Sequence, residues 1–163
     1  MDNNALYIDT EKWRRRAMPG HSDISDKLKT MDRNGIDVTV LSPNDPGPER
    51  FGADGPLVAR MLNDFISAQT RDHPDRFIGL CELPLNHETE AKAELERAIH
   101  ELDMRGVLLY SNLDGHHPDE PAFEWLFAHA ESMHIPIYLH PAYPVTYDQV
   151  EGRKLVGALG LMF

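Results

Sequence analysis

Cysteine, long apolar runs and a secretory signal pattern are scarce or missing in this chain. Cys81 is the only cysteine, so it cannot form an intramolecular disulfide, and its place within an apolar run favours a buried position. No apolar stretch approaches the roughly 18 residues that span a bilayer, and the N-terminal segment has its charges after its short apolar patch. By elimination, we expect a cytoplasmic protein.

Basic residues are outnumbered, with 16 Lys and Arg against 27 Asp and Glu, which gives a formal net charge of -11. A surface this acidic repels phosphate backbones and anionic lipid. We therefore expect neither nucleic acid nor membrane among the partners. The acidic residues are scattered, which is typical of the solvated outer faces of helices.

Several motifs that identify enzyme classes are also missing. The sequence has no GxGxxG after an apolar run and no GxxxxGK[ST], which excludes the common nucleotide-phosphate loops. It has no GxSxG nucleophile turn, no HxH or HExxH pair and no Cys/His cluster. A second metal ligand to accompany any one of the histidines is not visible in the sequence.

What the chain does contain is a regular alternation of short apolar runs and amphipathic segments. The apolar runs predict strands at 36–41, 77–83, 106–111 and 135–140. Helical spacing predicts helices at 26–35, 57–71, 91–102 and 123–133, with a further one from about Val150. The helix at 57–71 is expected to have one apolar face, made of Leu57, Val58, Met61, Leu62, Phe65 and Ile66.

This alternation is typical of an α/β fold with a parallel sheet. We expect a single domain over residues 1–163, in which residues 1–25 form a poorly defined lead-in. Strand–helix units of this kind occur in closed barrels and in open doubly wound sheets, and their number alone does not separate the two.

Most of the predicted strands end at a proline, which lacks the N–H that a ladder needs and therefore stops the strand. The carboxyl ends of parallel strands meet at one rim of the sheet, and ligands bind along that rim in α/β proteins. The polar residues placed there are Ser42, Asn44, Asn86, Ser111, Asn112, Asp114 and His140.

His140 is the sharpest candidate among them. An imidazole at the end of a rigid strand can offer a nitrogen lone pair to zinc or a similar ion. The alternative, which the local sequence alone favours, is a hydrogen-bonded histidine with a structural role, because a single histidine without partners is a weak signal.

Four segments, read in order, carry a family resemblance: KLKTMDRNGIDVTVLSP, LNDFISAQTRDHPDRFIGLCELPL, RGVLLYSN and IPIYLHPAYPV. Together they resemble the amidohydrolase-related family, in the branch of metal-dependent decarboxylases and hydrolases that includes aminocarboxymuconate-semialdehyde and γ-resorcylate decarboxylases. The likeness runs from about Asp26 to Phe163. It implies a TIM-type (β/α)8 barrel, of which this chain supplies about four units, strands two to five.

The resemblance also implies one divalent ion, zinc or manganese. In the family the ion is bound by an HxH pair after strand one, a histidine after strand five and an aspartate after strand eight, and a further histidine acts after strand six. His140 matches the strand-five ligand. Residues 7–10 resemble the lead-in to HxH, but Glu11-Lys12-Trp13 stand where the histidines would follow. Asn44, Ser111 and Asn112 are candidate substrate-binding residues by strand-end position.

The implied chemistry is decarboxylation of an aromatic or unsaturated carboxylate, or hydrolysis. Because such a barrel needs roughly 250 residues, we expect this chain to be a partial family member. Alone it should be inactive and without a catalytic metal, since one imidazole does not hold the ion. Its unpaired strand edges should promote self-association. The alternative is a non-catalytic half barrel that serves in binding or assembly.

Overall fold

The structure is a computed structural model that describes residues 7–9, 14–16, 23–43 and 46–142. A helix or strand lies at each position predicted between 26 and 140, and the strands are shorter than predicted. The helix predicted from Val150 lies outside the described residues. The elements are β1 (Tyr7–Asp9), β2 (Arg14–Arg16), α1 (Ile24–Asn34), β3 (Thr39–Leu41), a 3-10 helix (Pro48–Asp54), α2 (Gly55–Asp72), β4 (Phe77–Gly79), α3 (Glu88–His100), β5 (Val107–Tyr110), a 3-10 helix (Pro121–Phe123), α4 (Glu124–Met133) and β6 (Ile137–His140).

Strands β3 to β6 lie side by side in chain order and run parallel. β3 pairs with β4, and β5 pairs with β6, where Tyr110 lies opposite His140. A parallel bridge between Cys81 and Val107 joins the two pairs. The predicted α/β class with parallel strands is therefore confirmed. β1 and β2, by contrast, form an antiparallel pair within the predicted lead-in, which the sequence did not indicate.

The two faces of these strands are packed very differently. On the helix face, a Cβ added to Gly79 would meet Met104 Sδ at 2.5 Å and Ile66 Cγ2 at 2.9 Å, so the backbone of β4 lies directly against its covering layer. Side chains alternate between faces along a strand. The opposite side, which we call the open face, is 39–58% exposed at Val38, Val40, Ile78 and Tyr138, but it is closed on β5, where Leu108 and Tyr110 are 3% exposed.

The predicted buried face of α2 is wrong for most of its length. Leu57, Met61 and Phe65 are 60%, 63% and 48% exposed. The residues that α2 buries against the sheet are mostly small or polar: Ala59, Asn63, Ile66 and Ser67. The close approach to Gly79 gives the physical reason, since large side chains do not fit where a helix lies directly on a glycine backbone.

Helix α1 is closed at both ends by its own sequence. Asp23 caps the N-terminus by accepting from Ser25 N–H at 2.9 Å and Asp26 N–H at 3.2 Å. Gly35 ends the helix in the left-handed conformation at φ 64°, as predicted. None of the helices in the described part of the chain is long and apolar enough to cross a membrane.

Candidate functional site

His140 lies at the carboxyl end of β6, on the open face of the sheet, and its side chain is exposed. Its Nδ1 lies 2.8 Å from the carbonyl oxygen of Pro141. A carbonyl only accepts hydrogen bonds, so Nδ1 carries the proton and Nε2 presents a lone pair. Metal-binding histidines are commonly held in this way, with the second ring nitrogen bonded to a carbonyl or carboxylate. The geometry therefore suits His140 to bind a metal through Nε2.

The neighbouring strand holds His140 and the residues that follow it. The ring of Tyr110 packs edge-on against the imidazole, with centroids 5.5 Å apart and planes at 73°. Ser111 N–H donates to the carbonyl oxygen of His140 at 3.0 Å, and Ser111 Oγ accepts from Ala142 N–H at 2.9 Å. β5 thus fixes the backbone on both sides of Pro141, the residue whose carbonyl orients the imidazole.

The three candidate substrate-binding residues have different outcomes. Ser111 is half-buried beside His140, and it is hydrogen-bonded to the backbone of His140 and of Ala142. Asn112 Oδ1 accepts from Gly115 N–H at 2.7 Å and so shapes the loop after β5. Asn44 lies outside the described residues. The structure therefore brings Ser111 close to His140, and it assigns Asn112 a role in the turn.

The backbone of Glu82, just beyond β4, is held by a side chain instead of by a neighbouring strand. Glu82 N–H donates to Asn63 Oδ1 at 3.0 Å, and Asn63 Nδ2 donates to the Glu82 carbonyl at 2.9 Å. The adjacent ladder ends with the bond from Leu80 N–H to Leu41 O, because Pro43 has no N–H with which to continue it. The amide of Asn63 therefore extends the ladder edge and fixes the carboxyl end of β4.

Asn63 is in turn held by a buried ion pair on α3. Its Nδ2 also donates to Glu94 Oε1 at 2.8 Å, and Arg97 donates to both oxygens of Glu94 at 2.7 and 2.8 Å. The side chains of Arg97 and Glu94 are only 13% and 3% exposed. Hydrogen bonding to Glu94 raises the pKa of the Arg97 guanidinium above its ordinary value. We call Asn63, Glu94 and Arg97 the polar clamp. Glu94 lies 31 positions from Asn63, which is why sequence patterns did not reveal the clamp.

The loops after β3, β4 and β5 enclose a cavity of about 410 Å³ that His140 does not line. Arg50 on one side pairs with Asp114 on the other at 2.8 Å. The cavity's ionisable lining residues are mostly acidic: Glu49, Glu88, Asp114 and Glu120 outnumber one histidine, His116, which is bonded to Glu120. A carboxylate ligand would be repelled by these groups, so this cavity is a poor candidate for the substrate site of a decarboxylase.

Cys81 behaves as the sequence predicts. It is fully buried, and desolvation is the main reason that the pKa of its thiol is raised to about 12. The thiolate that a nucleophile or metal ligand requires is therefore not formed near neutral pH.

The implied metal can be tested against the residues present. His140 has the chemistry of one ligand. The described residues contain no group of three or more His, Cys, Asp or Glu side chains that could hold a metal ion. This part of the chain therefore fits a single position of a metal site and not a complete one.

Comparison with known proteins identifies the family. The model of the Amidohydrolase family matches residues 8–154. The chain belongs to the amidohydrolase family. The resemblance carried by the four sequence segments is thereby confirmed, and the family's enzymes favour the barrel over the doubly wound alternative.

Three relatives illustrate the likeness. The γ-resorcylate decarboxylase of Rhizobium sp. (strain MTP-10005) is 34% identical over 137 residues, which are 77% of this chain and 41% of that enzyme. The 2-amino-3-carboxymuconate-6-semialdehyde decarboxylase of Dictyostelium discoideum is 31% identical over 140 residues, covering 83% and 38%. The crystal structure of 5-carboxyvanillate decarboxylase from Novosphingobium aromaticivorans superposes with a TM-score of 0.77 at 28% identity, covering 82% of this chain and 40% of that one.

That crystal structure contains manganese and 3-methoxy-4-hydroxy-5-nitrobenzoic acid, a small carboxylic acid. This chain spans about 40% of the length of the relatives that it matches. All three relatives are decarboxylases, and they lend no support to the alternative of a non-catalytic module.

Proposed function

We propose that this chain supplies strands two to five of an amidohydrolase barrel that removes CO2 from an aromatic or unsaturated carboxylate. In this assignment β3 to β6 are the four strands, and His140 is the strand-five ligand of a divalent ion, zinc or manganese. Hydrolysis is the second reaction that the family's chemistry allows. The observation that carries the proposal is the orientation of His140, whose Nδ1–H is bound to Pro141 O and whose Nε2 is left to a metal.

When bound, the ion would polarise or orient the carboxylate. The residues of this chain would then position the metal ligand and the substrate. Tyr110 and Ser111 hold His140 in place, and the hydroxyl of Ser111 and the amide of Asn112 have O–H and N–H donors that suit a carboxylate. Asn44 remains a proposed contributor by its place after β3.

The proposal is tested with a chimera in which residues 23–142 replace the matching segment of the Rhizobium γ-resorcylate decarboxylase. We expect the chimera to bind one equivalent of manganese and to release CO2 from γ-resorcylate. His140→Ala should lower both metal occupancy and turnover by roughly a hundredfold or more, because a catalytic ion usually has about three protein ligands. His100→Ala, an exposed histidine at the end of α3, is the matched control and should change neither.

The isolated chain, assayed for metal binding and CO2 release, complements the chimera experiment. With one ligand in its described part, we expect no CO2 release and only weak metal binding. Tight stoichiometric zinc binding that disappears with His140→Ala would contradict this expectation. A chimera that keeps its metal and its turnover after His140→Ala would contradict the proposal itself.

A further inference from the structure

Arg50 stands out among the charged residues at the carboxyl ends of the strands. The described parts of the loops that follow β3, β4, β5 and β6 contain one lysine or arginine between them, and it is Arg50, on the 3-10 helix after β3. The same loops contain several acidic residues, among them Glu49, Asp114 and Glu120. A carboxylate that approaches this rim is repelled by the acidic residues and attracted by Arg50.

The backbone that carries Arg50 is fixed independently of its side chain. Asn86 Nδ2 donates to the carbonyl oxygen of Glu49 at 3.2 Å, and His87 Nε2 donates to the carbonyl oxygen of Gly52 at 2.8 Å. Both bonds are made to the backbone of the 3-10 helix, one on each side of Arg50. The guanidinium can therefore change its partner while the segment that carries it stays in place.

The partner of Arg50 belongs to the loop that begins beside His140. Arg50 Nη1 donates to Asp114 Oδ1 at 2.8 Å, and Asp114 lies in the loop after β5, which begins at Ser111. β5 pairs with β6, and Ser111 N–H donates to the carbonyl oxygen of His140. The guanidinium thus reaches from the loop after β3, past the end of β4, to the strand next to that of His140.

The ion pair between Arg50 and Asp114 is suited to exchange. The two side chains are 35% and 57% exposed, and ion pairs this exposed are weak because water solvates both charges. A guanidinium can bind both oxygens of one carboxylate through parallel N–H donors. A substrate carboxylate inside a closed barrel would lie further from water than Asp114 does, so it would compete well for Arg50.

We propose that Arg50 binds the carboxylate of the substrate and that Asp114 holds the guanidinium at the rim until the substrate arrives. This inference rests on the proposed function, because it takes the substrate to be a carboxylate held beside His140. Arg50 then contributes to substrate binding, whereas Asp114 competes with the substrate for the same guanidinium. The two residues of one ion pair therefore have opposite effects on affinity.

These opposite effects are tested in the chimera with the Rhizobium enzyme. Arg50→Met should raise the KM for γ-resorcylate by roughly ten- to a hundredfold and leave kcat nearly unchanged, because it removes a charged hydrogen bond that serves binding. Asp114→Asn should lower the KM by roughly threefold, because a weak exposed pair no longer competes. Asparagine tolerates the left-handed backbone of Asp114, at φ 54°, so the turn is kept. Arg105→Met breaks an exposed pair with Asp103 and is the control, with no expected change in KM.

An ion pair that only ties two loops together would behave differently. Arg50→Met and Asp114→Asn break the same pair, so a structural role predicts that both variants change KM in the same direction and to a similar extent. That result, or a KM that Arg50→Met leaves unchanged, would overturn the inference while metal binding and turnover of the chimera still supported the proposed function. A chimera without turnover would count against the proposed function.

The full chain gives a measurement that does not depend on turnover. Benzoate is titrated into the full chain at constant ionic strength, with chloride as the balancing anion, and the side-chain Nε–H signals of the arginines are followed by NMR. We expect the Arg50 signal to shift and the Arg105 signal to stay in place. Asp114→Asn should lower the benzoate concentration at half the Arg50 shift by roughly threefold. An Arg50 signal that does not respond, or that responds no more than that of Arg105, would overturn the inference.

Discussion

The helix face and the open face of the same four strands differ in what they do. Val107 on β5 is in register with Cys81, on the face that the helices cover, and is completely buried. Val40 on β3 points to the open face and is 53% exposed. The polar clamp also lies on the side of α2 and α3, while His140 lies at the rim of the open face. The helix side therefore holds the polar clamp and much of the buried core, while the open face is packed around β5, is exposed on β3 and β6, and carries His140 at its rim.

The largest effect should come from breaking the polar clamp. Arg97→Met leaves Glu94 buried without its cation, and losing one partner of a buried pair costs about 3–5 kcal/mol. Adding Glu94→Leu removes the unpaired charge and should recover part of that loss, although Asn63 Nδ2 then keeps only its bond to the Glu82 carbonyl. The measurement is urea unfolding of the single and double variants. Arg105→Met, which removes an exposed pair with Asp103, is the control and should change the unfolding free energy by less than about 0.5 kcal/mol. An Arg97→Met variant that is as stable as this control would show that the clamp contributes little.

Val107 and Val40 give a matched comparison of the helix face with the open face, since both are valines and both lie on strands. Val107→Ala should lower the unfolding free energy by about 2–3 kcal/mol, because it removes two buried methyl groups and leaves a cavity. Val40→Ala should lower it by less than about 1 kcal/mol. Equal losses in urea unfolding would mean that the open face is packed against something in solution, and sedimentation of both variants would show whether that is a second copy.

Asn63 links the polar clamp on the helix side to the carboxyl end of β4, through its bonds to Glu94 and to the Glu82 backbone. Asn63→Ala removes both of the hydrogen bonds that its amide makes to the Glu82 backbone, which should cost about 1–3 kcal/mol. Amide hydrogen exchange should show the Glu82 N–H losing protection while the β5 amides keep theirs. A Glu82 amide that stays protected in this variant would show that the side-chain amide does not extend the ladder.

The secondary structure was largely predictable, because local signals define it. Apolar runs stopped by proline indicated the strands, and Gly35 ended α1 as expected. The orientation of α2 was not predictable, because its large residues form a convincing apolar face and only the close approach of Gly79 shows that the small residues turn inward. A polar residue in line with Ala59 and Ile66 was the available signal, and Asn63 is that residue.

The candidate site was predictable in position and not in detail. Proline after β6 placed His140 at the rim. The contacts that orient it come from Tyr110 and Ser111, about thirty residues earlier in the chain. Local sequence patterns do not predict contacts over that distance.

The smallest effect concerns acid stability on the helix side. Hydrogen bonds from Ser25 and then from Asp26 lower the pKa of Asp23. Its stabilisation of α1 is therefore present above the ordinary pKa of an aspartate and is lost as the pH falls through the lower, folded value. Asp23→Asn keeps a capping oxygen that does not titrate, so this part of the acid dependence should disappear. Unfolding curves across the acid range measure it, and an unchanged pH dependence would contradict the assignment.

The most direct test of His140 as a metal ligand is the protonation state of its ring in the full chain. Long-range proton–nitrogen spectra of histidine-labelled protein, assigned with His140→Gln, distinguish the two ring nitrogens when the imidazole is neutral. The structure predicts a proton on Nδ1, bound to Pro141 O, and an unprotonated Nε2 ready for a metal. A proton on Nε2 and a bare Nδ1 would contradict the proposed role, because the nitrogen assigned to the metal would then be a donor.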